Sequence, residues 1–153
     1  RPRPPPSLPH PQDKFYAECG AAGRATQLAY VDGALAGAIA VRLELLPDRS
    51  AGSGARMYIM TVGVLAPHRG AGIGTLLLSV LAEMASGLAS SGRGGGTPMV
   101  FWESHAGNAH ANRFYAETVG AEHVGGDEQL LTWKLKGSAL HAMRPRRKDF
   151  VFA

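Results

Sequence analysis

One cysteine, Cys19, in 153 residues leaves no partner to bridge, which excludes an intrachain disulfide framework. With no His/Asp partnership in its neighbourhood, Cys19 reads as a packing residue rather than a nucleophile, and the compartment as reducing. No uninterrupted apolar stretch reaches the roughly 20 residues that a membrane-spanning helix needs, and no signal peptide is visible. The expectation is a soluble intracellular protein with no membrane partner, cytoplasmic, with the nucleus as the alternative. The chain also lacks a single-signed body. Its net charge is +4, but Arg1, Arg3, Arg144, Arg146, Arg147 and Lys148 hold six of the 16 basic residues, and only Asp149 of the 12 acids lies among them. Elsewhere 10 basic groups face 11 acidic ones. A near-neutral body with basic ends argues against DNA as a partner, and the tail reads as solvated, with contact to an RNA-rich assembly as the alternative. There is no internal repeat.

With 45% hydrophobic content, 153 residues suffice for one globular domain with a real core. Six prolines in residues 1–11 make an extended lead-in over 1–12. The chain begins with Arg1 rather than methionine, so a processed form or fragment is expected, with an upstream piece of the fold absent. A domain over 13–143 follows, then a basic tail over 144–153. Asp13 to Gly20 reads as one or two helical turns. A hairpin follows, Thr26 to Val31, an Asp32-Gly33 turn, and Ala34 to Leu46. In its second strand Val41, Leu43 and Leu45 alternate with Arg42 and Glu44, one side buried and the other wet. Pro47 to Ala55 is a loop, Arg56 to Leu65 a strand, and Gly72 to about Leu88 a helix whose Leu77, Val80, Leu81, Met84 and Leu88 share a core-facing stripe. The glycine-rich Ser90 to Pro98 is an exposed connection. Met99 to Ser104 is a strand parallel to the previous one because a helical crossover joins them. Asn108 caps a short helix through Glu117, and Gln129 to Lys136 is the last strand.

The densest signal is the run YIMTVGVLAPHRGAGIGTLLL, Tyr58 to Leu78, in which an apolar strand passes through a glycine-studded turn into an amphipathic helix. Arg69-Gly70-Ala71-Gly72-Ile73-Gly74-Thr75 leaves backbone N–H groups unshielded at a helix N-terminus, where orphan amides and the helix dipole favour a pyrophosphate. The alternative is that the glycines merely permit a tight turn between core elements. A nucleotide P-loop ends in Gly-Lys-Ser/Thr, whereas this turn ends Gly74-Thr75-Leu76 and has no lysine. The dinucleotide fingerprint wants a G-x-G-x-x-G register that Gly70, Gly72 and Gly74 do not keep. The arrangement resembles instead the R/Q-x-x-G-x-G/A loop of the GCN5-related N-acetyltransferases (GNAT), with Arg69, Gly72 and Gly74 at its fixed positions. That resemblance implies an α/β (α+β) acyl-CoA N-acyltransferase fold, a mixed sheet with flanking helices, and acetyl-CoA as cosubstrate with no metal.

Acetyl transfer from a thioester to an amine requires a neutral amine, a polarised carbonyl and a proton for the leaving thiolate. Tyr58 and Met60 share one strand face by the two-residue period, and Glu103 and His105 share one face of the neighbouring strand. A Tyr58/Glu103 pair could hold a water that relays the amine's proton, with His105 as the reserve base. Tyr115 is a candidate donor to the departing sulfur. A half-buried packing tyrosine and a solvated strand-end carboxylate are the plainer readings of the same residues.

Further stretches narrow the resemblance to the San-type N-terminal acetyltransferases, the NatE catalytic-subunit family. They are DKFYAE (Asp13 to Glu18), QLAYVDGALAGAIAVRLEL (Gln27 to Leu45) and NAHANRFYAE (Asn108 to Glu117), with the run above. The resemblance implies that Tyr58 is one member of the catalytic pair and Met60 lies at the peptide site. Acetyl-CoA would be lined by Val62 to Thr75, including Val62, Gly63, Val64, Arg69, Gly70, Ala71, Gly72, Ile73, Gly74 and Thr75, and by Asn108 to Glu117, including Asn108 and Tyr115. Tyr115 would lie near the sulfur. The family's catalytic histidine falls on Glu103, or on His105 if the alignment slips. Its peptide-binding loop has become Ser7-Leu8-Pro9-His10-Pro11, its tyrosine pair Leu130-Leu131, and its first strand and helix would precede Arg1. The implied substrates are protein N-termini, methionine-starting peptides among them, with lysine side chains secondary. The implied partners are NatA-type auxiliary and catalytic subunits near the ribosome. Two alternatives stand beside this: acetylation of a small amine such as a polyamine or antibiotic, and a coenzyme-binding pseudoenzyme subunit.

Overall fold

A computed structural model describes residues 26–45, 55–90, 98–136 and 151–152, together with 14, 15, 17, 19 and 139. The Pro-rich lead-in with Ser7 to Pro11, most of the loops over 46–54 and 91–97, and the basic run 144–149 lie outside the described residues. Lys14, Phe15, Ala17 and Cys19 are helical, as the reading of Asp13 to Gly20 expects. Cys19 is buried, which agrees with a packing role.

Among the described residues seven strands form one mixed sheet in the order β5-β6-β4-β3-β2-β1-β7. Strands β1 (Thr26–Val31) and β2 (Ala34–Leu45) are an antiparallel hairpin. Its turn residues Asp32 and Gly33 have φ of 50° and 78°, the paired left-handed conformation that matches the strands' twist. β3 (Ala55–Val64) runs antiparallel to β2. A short 3₁₀ turn, Ala66–His68, leads to helix α1 (Ile73–Ser90), which crosses over to β4 (Met99–His105), parallel to β3. Helix α2 (Ala109–Arg113) widens into a π-helical turn, Phe114–Val119, closed by Gly120 in the left-handed region. β5 (Glu122–Gly126) and β6 (Leu130–Lys136) complete that edge. On the other edge Val151–Phe152, inside the segment read as a solvated tail, pair with Ala29 and Tyr30 as β7. Apolar, strand-favouring Val and Phe satisfy backbone groups that an open edge would leave to water.

One sheet face packs on α1. Ile39, Val41, Met57, Ile59, Val100 and Trp102 meet Ile73, Leu77, Leu78 and Leu81 in a single core. The α1 stripe is centred slightly off the expected one: Leu77 and Leu81 are fully buried, whereas Val80 and Met84 are only partly so, and Ala82 and Ala85 take the inner positions. Small residues there bring the helix close to the sheet. The expected alternation in β2 holds at Val41 but fails at Leu43, which is 43% exposed.

Candidate active site

The site is built where β3 and β4 part. Their pairing covers Arg56 to Tyr58 against Met99 to Phe101 only, although β3 continues to Val64 and β4 to His105. A bulge in β3 marks the departure: Ala40 pairs with Thr61 and Val41 with Ile59, so Met60 has no partner in β2. Before the bulge Met57 and Ile59 face the core, and after it Val62 and Val64 do. The two-residue alternation therefore runs unbroken from Met57 to Met60, leaving Tyr58 and Met60 both off the core face as expected, and it shifts by one between Met60 and Thr61, because a bulge inserts one residue.

The opening is a polar cleft of about 200 Å³ lined by Met60, Thr61 and Val62 from β3, Trp102 to His105 from β4, and Asn108, Ala111 and Tyr115 from the α2 region. A second cleft, of about 310 Å³, lies against the start of α1 and is lined by Val62, Gly63, Val64, Arg69, Gly72, Gly74 and Thr75 together with Asn108, His110, Ala111, Phe114 and Tyr115. Val62, Asn108, Ala111 and Tyr115 are common to both. The strand opening and the helix-start cleft thus meet at Tyr115.

The second cleft offers backbone donors at its glycine turn. The first bond of the α1 ladder is Leu76 N–H to Gly72 O at 3.0 Å, so the amides of Ile73, Gly74 and Thr75 precede it and are the orphan donors of a helix start. Gly70 and Gly72 have φ of 76° and 89°, a conformation that side chains resist. A Cβ on Gly63 would meet nothing within 4 Å, which leaves the strand backbone open to a ligand, whereas a Cβ on Gly74 would meet the Phe114 ring at 3.3 Å. Arg69 Nε donates to Val64 O at 3.0 Å and straps the turn onto the end of β3. Orphan amides, one arginine and an uncluttered backbone fit a diphosphate. Of the residues expected to line acetyl-CoA, Gly70 and Ala71 are not on the cleft wall and Ile73 is 1% exposed, its side chain in the core. Ile73 therefore has only its backbone to offer.

At the strand opening the Tyr58 hydroxyl donates to Glu103 Oε2 at 3.3 Å, a long bond by the usual O–H···O standard but one of direct contact rather than through an intervening water. Burial, then the negative charge of Glu103 and the hydrogen bond to it, push the Tyr58 pKa above its ordinary 10.0. The Arg42 guanidinium lies over the Tyr58 ring, 5.2 Å from its centroid, and Glu44 binds both Arg42 and Arg56. His105 lines the same cleft, but its Nδ1 accepts the Gly107 N–H at 3.2 Å. With Nδ1 accepting, the neutral ring carries its proton on Nε2, which is then a donor toward the cleft.

Tyr115 is 7% exposed and ringed by Trp102, Phe114 and Trp133, with centroid distances of 5.2, 5.6 and 5.8 Å. Burial pushes its pKa up. The π-helical turn that starts at Phe114 re-aims this stretch of helix, a device common at functional sites. The Asn108 side chain accepts the Ala111 N–H at 3.2 Å and caps α2 as expected. Ser104 and Asn112 were not anticipated. Trp133 Nε1 donates to Ser104 Oγ at 2.7 Å, Ser104 donates to Asn112 Oδ1 at 2.5 Å, and the Asn112 amide donates to the carbonyls of His105 and Ala106, each at 3.1 Å. This network pins α2 to the end of β4. No spacing rule marks it, because its members sit 8 and 29 residues from Ser104. Among the described residues no group of His, Cys, Asp and Glu could hold a metal, and no helix is long and apolar enough to cross a membrane.

A family model described as the acetyltransferase (GNAT) family matches residues 1–121. The chain is 32% identical over 117 residues to the probable N-acetyltransferase san of Drosophila melanogaster, a match covering 76% of this chain and 57% of that protein. It is 39% identical over 67 residues to N-alpha-acetyltransferase 50 of Danio rerio, covering 44% of this chain and 37% of that protein. The matches thus span 57% and 37% of the lengths of these two curated relatives. Among solved structures, Arabidopsis thaliana Naa50 in complex with the bisubstrate analogue CoA-Ac-MVNAL is 32% identical and superposes with a TM-score of 0.63, covering 86% of this chain and 83% of that one.

Proposed function

The chain belongs to the acetyltransferase (GNAT) family, and from that premise we propose that it transfers acetyl groups from acetyl-CoA to the α-amino groups of protein N-termini. The observation that carries this reading is the junction at Tyr115, which lines both the phosphate-fitting cleft at α1 and the polar cleft at Glu103. Acetyl-CoA supplies an activated acyl group as a thioester. The amides of Ile73, Gly74 and Thr75 and the Arg69 guanidinium would hold its diphosphate.

Glu103, exposed at the opening, takes the amine's proton, directly or through a water. Tyr58 keeps its own proton and orients Glu103 Oε2 through it. Tyr115, kept protonated by burial, is the donor for the departing sulfur. The acceptor side favours a peptide with an apolar first residue. Met60 lines the opening, and exposed Leu130 sits opposite His105 in the β4–β6 register. The peptide part of the analogue bound to Arabidopsis thaliana Naa50 begins MVNAL, in keeping with that preference. Lysine side chains are secondary acceptors on this reading.

The test is thiol release from acetyl-CoA with Met-starting peptides, peptides with other N-termini, polyamines, or no acceptor. Release should be fastest with Met-starting peptides. Preference for a polyamine would make the chain a small-amine acetyltransferase, and tight acetyl-CoA binding with no turnover of any acceptor would make it a coenzyme-binding subunit instead.

A further inference from the structure

Two indoles face each other across the β4–β6 pair, since Trp102 is registered with Trp133. They share a layer and a neighbour, Tyr115, but not a fate. The N–H of Trp133 is placed on Ser104 Oγ, and that hydroxyl in turn on Asn112, so every donor in the network has an acceptor. The N–H of Trp102 is left out: the side chain is 1% exposed, and its Nε1 is buried with no hydrogen-bond partner.

A buried N–H without an acceptor is costly, and native interiors rarely keep one. A phenylalanine would fill much of the same space without that cost, so an indole here points to an acceptor that arrives from outside the chain. The space adjoining Trp102 is the polar cleft between β3 and β4. Its volume of about 200 Å³ exceeds the roughly 30 Å³ that one water takes in the liquid, and it is bounded by Tyr115, whose ring Trp102 meets edge-on at 5.2 Å.

We propose that the Trp102 indole N–H is a ligand-facing hydrogen-bond donor, serving an oxygen at the inner end of the β3/β4 cleft. That oxygen belongs either to the acetyl group of the bound thioester or to an ordered water. The first source rests on the acetyl-CoA reading of the site, and the second does not. With the acetyl oxygen as acceptor, Trp102 helps to distinguish acetyl-CoA from free CoA. With a water, Trp102 anchors a solvent molecule beside Tyr115.

The experiment uses the full chain labelled with ¹⁵N on tryptophan and glycine. The chain has two tryptophans, so two indole N–H resonances are expected, assigned by Trp133→Phe. Acetyl-CoA and CoA are titrated separately, and cross-peaks to bound water are recorded on the free protein. A downfield shift of the Trp102 resonance with acetyl-CoA but not with CoA supports the acetyl oxygen. A persistent cross-peak from the Trp102 N–H to water supports the ordered water. If the Gly72 and Gly74 amides shift with both ligands while the Trp102 N–H neither shifts nor contacts water, the proposal is overturned. If those amides respond to neither ligand, the acetyl-CoA reading fails, and the Trp102 proposal then stands or falls on the water cross-peak alone. For the acetyl source, Trp102→Phe should also cut the preference for acetyl-CoA over CoA about fivefold, the worth of one neutral hydrogen bond. An unchanged ratio in the folded variant excludes that source.

Discussion

The two clefts that meet at Tyr115 are made of different materials. The one at α1 offers main-chain groups at its glycine turn: amides before the first ladder bond, Gly72 at positive φ, and a strand end with an open glycine. The one between β3 and β4 draws on side chains, with Met60, Glu103, His105 and Trp102 from two strands and Tyr115 from the turn that follows α2, and with Tyr58 hydrogen-bonded to Glu103. A binding surface made of main chain depends on local dihedral angles, so it tolerates substitution wherever those angles survive. A reactive surface made of side chains depends on which residues the sheet brings together, so a single exchange can alter its chemistry while leaving binding intact. The chain illustrates this: its resemblance to the San-type family puts that family's histidine on Glu103, or on His105 if the alignment slips, while Arg69, Gly72 and Gly74 keep the fixed positions of the glycine turn.

The sharpest way to separate the two clefts is at the proton acceptor. Glu103→Gln should lower the turnover number by about 100-fold or more, the usual scale for a positioned acid or base, with acetyl-CoA affinity unchanged by calorimetry. His105→Ala should cost no more than about threefold, because its Nδ1 is already engaged by Gly107. The reverse ranking would transfer the base to His105. From the other side, Gly72→Val places a β-branched residue at φ 89°, and strain of roughly 1–3 kcal/mol should weaken acetyl-CoA binding about tenfold or more. Turnover at saturating donor should then stay near that of the parent. A loss confined to turnover would mean that the glycine turn serves the chemistry instead of the donor.

The next effect concerns the hinge between the clefts. Ser104→Ala removes the acceptor of Trp133 and the donor to Asn112. Urea unfolding should show a loss of about 1–3 kcal/mol, as expected for a part-buried network left with unsatisfied members. A loss under about 0.5 kcal/mol would show that α2 is held by its aromatic packing alone. The smallest effect is at the sheet surface beside Tyr58. Hydrogen bonds from Arg42 and then Arg56 hold the Glu44 carboxyl below its ordinary 4.5. A carboxyl lowered in the folded state adds stability above its unfolded pKa and loses it as pH falls through the folded value. Glu44→Gln should therefore cost less than about 1 kcal/mol at neutral pH, since the arginines are half exposed, and the difference should vanish well below pH 4.5. A gap that persisted in acid would assign the effect to packing.

Much of the framework was legible in the chain. The Asp32-Gly33 hairpin, the strand into the glycine turn, the parallel return and the Asn108 cap are local events, each signalled by residues within one turn or one strand of where they act. Tyr58 and Glu103 could be nominated as a pair from strand alternation, and they are in hydrogen-bond contact. What failed did so where alternation meets something non-local. The period shifts by one after Met60 because β2 pairs past it. Leu43 is exposed although its register partner Met57 is buried. Val151 and Phe152 join the sheet because the edge of β1 accepts them.

The glycine run, by itself, determined that a turn there would hold unpaired amides toward a ligand, because glycine's dihedral freedom and the start of a helix are properties of a few consecutive residues. Only the tertiary structure decided that the turn opens onto Tyr115, that Trp133 finds an acceptor in Ser104 while Trp102 finds none, and that His105 is already engaged by Gly107. Those outcomes depend on strand register, the Met60 bulge and the closure of the loop after β4. They follow from pairings between segments distant in the chain, which local preference does not encode.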